Sequence, residues 1–154
     1  MMAVLAMLFI ALFAVLSLGF YSSITTSVAT SANGRHQAQA RLAAESGMAF
    51  MKYELANLNI PGGTSPDQLF ATIYSQLGTA LNGTSNMGSA TVEMNDTQDT
   101  MTIPGGNAWI SMDDGGGQFK ATIQSLQNGE QLRVKVMGQV NGVSAENGAQ
   151  LDYA

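Results

Sequence analysis

Cysteine is absent from the chain, so neither a disulfide nor a thiolate metal site can stabilise the fold or do chemistry. Basic residues are nearly as scarce. Six Lys plus Arg against eleven Asp plus Glu leave a formal charge of −5, which supplies no patch able to displace counterions from a phosphate backbone, and nucleic acid is not expected as a partner. Charged residues make up 11% of the chain, against about 25% in an ordinary soluble domain. The deficit lies at the front, where nothing is charged before Arg35. His36 is the one histidine; a Ser-His-Asp constellation would have to use it, and its polar run with Gln37 and Gln39 reads as a solvated helix surface. Gly115, Gly116 and Gly117 are not followed by Gly-Lys-Ser/Thr, so they read as a turn and not as a phosphate loop. The 154 residues leave room for one compact domain with a long appendage and for no second, catalytic one. Neither enzymatic activity nor a cofactor is expected.

What is present in abundance is apolar surface. From Met1 through Leu16 every residue is apolar, and Ser17, Leu18, Gly19, Phe20 and Tyr21 extend the run. At about 1.5 Å per residue the stretch matches the ~30 Å hydrocarbon core of a bilayer. A cleaved secretory signal would show a basic start and an apolar stretch of about 7–15 residues; here the basic residues are missing and the run is longer. A plain single-pass anchor is usually oriented by flanking Lys or Arg, which this segment also lacks.

A zone of mediocre helix formers follows, SSITTSVATSANG. β-Branching restricts rotamers there and hydroxyls compete for backbone hydrogen bonds. Gly19, Ser22, Ser23, Thr25, Thr26 and Gly34 mark where a helix can locally stretch or unwind. Residues 1–34 thus read as an apolar helix plus this weak zone, and residues 35–60 as an amphipathic helix. In the latter Ala44, Met48, Met51, Leu55 and Leu58 recur at helical spacing. A second stripe, Leu42, Ala49, Phe50 and Tyr53, lies on a neighbouring face; it is either a broad core stripe or a surface that meets another subunit.

Residues 61–154 read as a β-rich head with one short helix. Pro61, Gly62 and Gly63 stop the long helix. Ser65 can cap a second one, with Pro66 at its first position, Asp67 at the positive end of its dipole, and Leu69, Phe70, Ile73, Leu77 and Leu81 at helical period; its expected span is 66–79. Alternation then predicts strands over 90–94, 100–103, 108–112, 118–126, 131–140 and 149–153. Phe119, Ala121 and Ile123 alternate with Lys120, Thr122 and Gln124, and Leu132, Val134 and Val136 with Arg133 and Lys135. Asn128-Gly129, within the turn 127–130, and Asn141-Gly142 signal hairpins. The expected fold class is α+β: a long N-terminal α-helix, apolar in its first half and amphipathic in its second, packed on a small antiparallel β-sheet head.

An uncharged apolar helix, its amphipathic continuation and a helix-covered antiparallel sheet, in that order, resemble the type IV pilins and pseudopilins. The segment Ala40-Arg41-Leu42-Ala43-Ala44-Glu45-Ser46-Gly47 is similar to the stretch after the membrane helix in pilin-like proteins of the PilX N-terminal type. The similarity covers about the first third of the chain in sequence and the remainder in architecture. It implies the structural subunit of an extracellular filament, held in inner-membrane lipid before assembly, handled by pilus assembly machinery, and released by a prepilin peptidase from a leader ahead of Met1. Many members carry a glutamate a few residues into the helix to pair with a neighbour's terminal amine. Leu5 occupies that place, so the resemblance does not extend to that pairing.

The partner implied is the chain itself, as a helical homopolymer. Lipid and a bundle of like helices are of similar polarity, so association relies on close packing. The candidate packing residues are Met1, Leu5, Leu8, Phe9, Leu12, Phe13, Leu16 and Phe20, interleaved with the small Ala3, Ala6, Ala11, Ala14 and Ser17. Asn82-Gly83-Thr84 and Asn95-Asp96-Thr97 match the glycosylation acceptor pattern. Asp113-Asp114-Gly115-Gly116-Gly117 and Asn95-Asp96-Thr97-Gln98-Asp99 offer oxygen ligands, neither with the spacing of an EF-hand; Asp113 and Asp114 are the calcium candidates, flexible acidic turns are the alternative, and no metal site is expected. Trp109 and Ile110 read as core or edge packing, with adhesion the alternative for the tryptophan. Two further readings stand beside the filament: a minor pilin or pseudopilin acting in assembly or secretion, and a membrane-anchored binding module that never polymerises.

Overall fold

The computed structural model describes residues 2–112, 117–126 and 131–152. Two helices, α1 (Met2–Ala56) and α2 (Pro66–Leu81), precede six strands: β1 (Glu93–Met94), β2 (Thr100–Ile103), β3 (Ile110–Ser111), β4 (Gln118–Leu126), β5 (Gln131–Val140) and β6 (Val143–Asp152). The architecture is the expected α+β, a long N-terminal helix packed on a small antiparallel sheet. The chain forms two compact units, Met1–Arg35 and His36–Ala154.

In the first unit the described residues are helical throughout, including Gly19, Ser22, Ser23, Thr25, Thr26 and Gly34, where the sequence permits unwinding. Hydroxyls that would otherwise compete with the helix serve it instead. Thr25 donates to the carbonyl of Tyr21, Thr26 to that of Ser22 at 2.9 Å and Thr30 to that of Thr26 at 2.9 Å, each one turn back.

In the second unit α1 ends at Ala56, short of Leu58, as the turn tightens with Leu58 N–H donating to the Leu55 carbonyl at 3.4 Å. Gln76 of α2 then grips the connection from both sides: its Oε1 accepts from Asn59 N–H at 2.9 Å and its Nε2 donates to the Asn59 carbonyl at 2.6 Å. Ser65 starts α2 differently from expectation, because its side chain makes no cap bond. Its carbonyl accepts from Gln68 and Leu69 N–H at 3.0 Å, and Pro66 needs no acceptor of its own. The helix runs two residues past the expected Thr79 and buries Leu69, Phe70, Ile73, Leu77 and Leu81.

The strands are ordered β1-β2-β4-β5-β6, with β3 on β4, all antiparallel. Ala121 faces Val136 and Ile123 faces Val134, so one face carries the buried Phe119, Ala121, Ile123, Leu132, Val134 and Val136. Asn141 and Gly142, at φ 49° and 81°, form the β5–β6 turn that their dipeptide predicts; the turn expected at 127–130 and Tyr153 lie outside the described residues. Strand β6 begins six residues before the expected Ala149. Ser144, Glu146, Asn147 and Gly148 hide it, because cross-strand pairing along all of β5 outweighs their weak strand preference. Strands β1 and β3 are shorter than expected, two residues each: at the expected start of the first, Ala90 N–H donates to the Met87 carbonyl at 2.9 Å, and at that of the second, Ala108 N–H donates to the Gly105 carbonyl at 3.3 Å, so both begin in turns.

Helix and sheet meet where both are smallest. Ala40, Ala43, Ala44 and Gly47 of α1 lie against β5 and Phe119. A Cβ on Gly138 would sit 2.2 Å from the Ala40 carbonyl oxygen and 2.4 Å from the Ala44 nitrogen. Only glycine permits this approach of two backbones.

Candidate functional site

The first unit presents its apolar side chains outward. Leu5, Leu8, Phe9, Leu12, Phe13, Leu16 and Phe20 are each between 50% and 69% exposed, while Met1 lies outside the described residues. The side chains leave open surface depressions along the helix, one among Leu5, Leu8, Phe9 and Leu12 and one among Val15, Leu16, Gly19, Phe20 and Ser23. Such ridges and hollows are what a neighbouring helix interlocks with. The helix is long and apolar enough to cross a membrane, a test that a signal sequence also passes.

In the second unit the stripe of Leu42, Ala49, Phe50 and Tyr53 divides. Phe50 is half-buried with its ring 5.7 Å from that of Phe119, and Leu42 and Tyr53 stay 60% and 67% exposed. His36 is half-buried, its Nε2 lying 3.2 Å from the Asn141 amide nitrogen. Asp113 and Asp114 lie outside the described residues, and among the described residues no three His, Asp or Glu converge on a metal position.

Of the two asparagines in acceptor motifs, Asn82 is exposed and its Oδ1 accepts from Val92 N–H at 2.9 Å. Asn95 organises the β1–β2 turn. Its Nδ2, the atom a glycan would use, donates to Thr97 Oγ1 at 2.6 Å and Asp99 Oδ1 at 2.7 Å. Its Oδ1 accepts from the N–H groups of Asp99 and Thr100 at 3.1 and 3.0 Å. The Thr97 and Thr100 hydroxyls complete the ring by donating to Asp99 Oδ1 at 2.8 and 2.9 Å. The Asn95 amide, then the two hydroxyls, hold the Asp99 carboxyl below the ordinary aspartate value.

The sign of the pH effect follows, since a carboxyl depressed by folding stabilises above its unfolded pKa and loses that contribution as pH falls through the folded one. Amide exchange in the 95–100 turn should therefore accelerate as pH drops through and below the ordinary aspartate range, after correction for intrinsic rates. In Asp99→Asn that acid-dependent step should be missing, and its survival in the variant would assign it to another group.

Sequence reasoning missed two features. Gly138 interrupts a strand pattern, a signal of close backbone approach that was there to be used. Lys120 and Lys135 lie beside Trp109 and Met137 on the outer face of the sheet, with Arg133 further along it; the alternation signals that polar face, but which residues stand side by side depends on strand register. Trp109 is half-buried there, and Ile110 is in the core.

No family model, curated protein or solved structure matches this chain.

Proposed function

We propose that the chain is the structural subunit of an extracellular type IV pilus-like filament, held in the membrane by its apolar helix before assembly and polymerising through that helix afterwards. One observation carries the reading: fifteen large apolar side chains, from Val4 to Val28, are exposed among the described residues of a helical segment without a single charge before Arg35. Water is a poor environment for that surface, at about 25 cal/mol for each Å². Lipid and a sheath of like helices both relieve it, and their similar polarity makes transfer between them nearly neutral. The reading does not draw on pairing of an acid with a terminal amine, since no Asp or Glu lies before Glu45. The reading does not require catalysis, a cofactor or nucleic acid.

The test compares the full chain with a head truncated to begin at Arg35, by sedimentation and electron microscopy after detergent removal. The full chain should form filaments, and the head should remain a soluble folded monomer, since the second unit holds its own core. A full chain that is monodisperse in water without detergent would end the proposal. One that returns to vesicles as single copies would favour the membrane-anchored binding module.

A further inference from the structure

Two stretches of the head carry the same Asn-x-Thr pattern, Asn82-Gly83-Thr84 and Asn95-Asp96-Thr97, and the fold treats their side-chain amides in opposite ways. A glycan joins such an amide by replacing one hydrogen of Nδ2 with an anomeric carbon, while the carbonyl oxygen and the second hydrogen remain. Whether a folded asparagine can accept one therefore depends on which of its amide atoms are already bonded.

At Asn95 both hydrogens are taken. Oδ1 accepts from Asp99 and Thr100 N–H, and because a backbone N–H needs an oxygen as acceptor, the nitrogen must face the other way. There it donates to Thr97 Oγ1 at 2.6 Å and to Asp99 Oδ1 at 2.7 Å. Substitution at Nδ2 removes one of these bonds, and the one to the Asp99 carboxylate is of the stronger, charge-assisted kind. A glycan on Asn95 and the turn seen in the structure exclude each other.

Asn82 uses only half of its amide. It follows α2 at φ −63° and ψ 132°. With Gly83 at φ 79° it forms the two central residues of a type II turn, closed by Thr84 N–H donating to the Leu81 carbonyl at 3.1 Å. Oδ1 accepts from Val92 N–H at 2.9 Å, which again assigns the nitrogen to the opposite side. Nδ2 donates to nothing among the described hydrogen bonds. Its surroundings are open: Asn82 is exposed, and Gly78, one turn back, has no side chain to lay over the nitrogen, where a Cβ would come within 3.4 Å of it. A saccharide added at Nδ2 leaves the bond to Val92 in place.

We infer that Asn82 is a glycosylation site of the folded head and that Asn95, in the same sequence pattern, is closed to modification. The donor is a saccharide carried on a lipid diphosphate. The bond from Nδ2 to the anomeric carbon forms, the bond from that carbon to the diphosphate oxygen breaks with its electron pair going to the lipid diphosphate, and Nδ2 gives up one proton to solvent. The inference rests on the part of the filament reading that puts the head outside the membrane, and not on polymerisation.

The test treats the full chain, folded in detergent, with an oligosaccharyltransferase that reads Asn-x-Ser/Thr and a lipid-diphosphate-linked oligosaccharide, and maps the product by peptide mass spectrometry. The wild type should gain the mass of one glycan, on the peptide that holds Asn82, and Asn82→Gln should gain none. Asp99→Ala releases one hydrogen of the Asn95 amide, so modification at Asn95 should become about tenfold faster, the worth of one hydrogen bond to a charged group. A glycan on Asn95 of the wild type, or none on Asn82, overturns the inference, and an Asn95 that stays unmodified in Asp99→Ala removes the hydrogen-bond account of its closure. Filaments whose subunits refuse the glycan at Asn82 would leave the filament reading standing and this inference refuted. A chain that accepts the glycan at Asn82 and never polymerises would do the reverse.

Discussion

Phe9→Asp and Phe13→Asp are each expected to abolish filaments while leaving the head folded. Both side chains are exposed on the charge-free part of α1, at 59% and 66%, where lipid or a neighbouring helix must cover them. An aspartate at the centre of a membrane helix costs about 3 kcal/mol, roughly a hundredfold in an equilibrium constant. A filament repeats that cost in every subunit, and no basic residue lies before Arg35 to offset it. Phe9→Leu retains the apolar character and should still assemble. Electron microscopy of sheared cells shows the outcome, and circular dichroism of the purified variants shows that their heads are intact. Abundant, normal filaments from Phe9→Asp would mean that this face is not a packing surface.

Gly138→Val should be the most damaging single substitution in the head. At this position backbone meets backbone: the Ala40 carbonyl oxygen and the Ala44 nitrogen lie 2.2 and 2.4 Å from where a Cβ would be, and a helix cannot move one of its carbonyls aside without moving itself. Lifting α1 uncovers Phe119, Val136 and the core beneath Met48 and Met51. Overpacking of an ordinary core costs about 1–3 kcal/mol. With no flexible side chain to absorb the strain, about 3 kcal/mol or more is expected here, which lowers the melting temperature by roughly 15 °C in a domain of this size. Gly47→Ala is the instructive comparison. The obstacles to its Cβ are the Phe119 ring at 2.6 Å and a Val136 methyl at 2.8 Å, both of which can shift, so its loss should be the smaller. Gly148→Ala, with nothing nearer than 3.8 Å, should melt close to wild type. Thermal unfolding of the three variants in detergent ranks them; Gly138→Val melting beside Gly148→Ala would show that the helix does not rest on β5 in this way.

Both expectations come from one contrast in how the chain is written. The N-terminal segment states its solvent preference residue by residue, so its apolar character and helical form could be read directly. The same holds for the alternation Phe119, Ala121, Ile123 and for Asn141-Gly142, whose positive φ values are the ones the dipeptide favours. The weak zone was legible in composition, but its hydroxyls can either break a helix or bond one turn back within it. In the structure Thr25, Thr26 and Thr30 do the latter. Ser65 shows a similar ambiguity, because a cap residue can act through its carbonyl without its hydroxyl.

The sequence alone determined the two helices and the strands β4 and β5 with their faces, because periodicity, turn dipeptides and charge-free runs are local properties carried by neighbours along the chain. Only the tertiary structure decided that Gly138 lies under Ala40 and Ala44, that β6 runs the full length of β5, and that Lys120, Arg133 and Lys135 share one face with Trp109. Each of these depends on the register between segments distant in sequence. A shift of one residue would turn every side chain of a strand to the other face, and the buried set on β4 and β5 selects the register that keeps them inside.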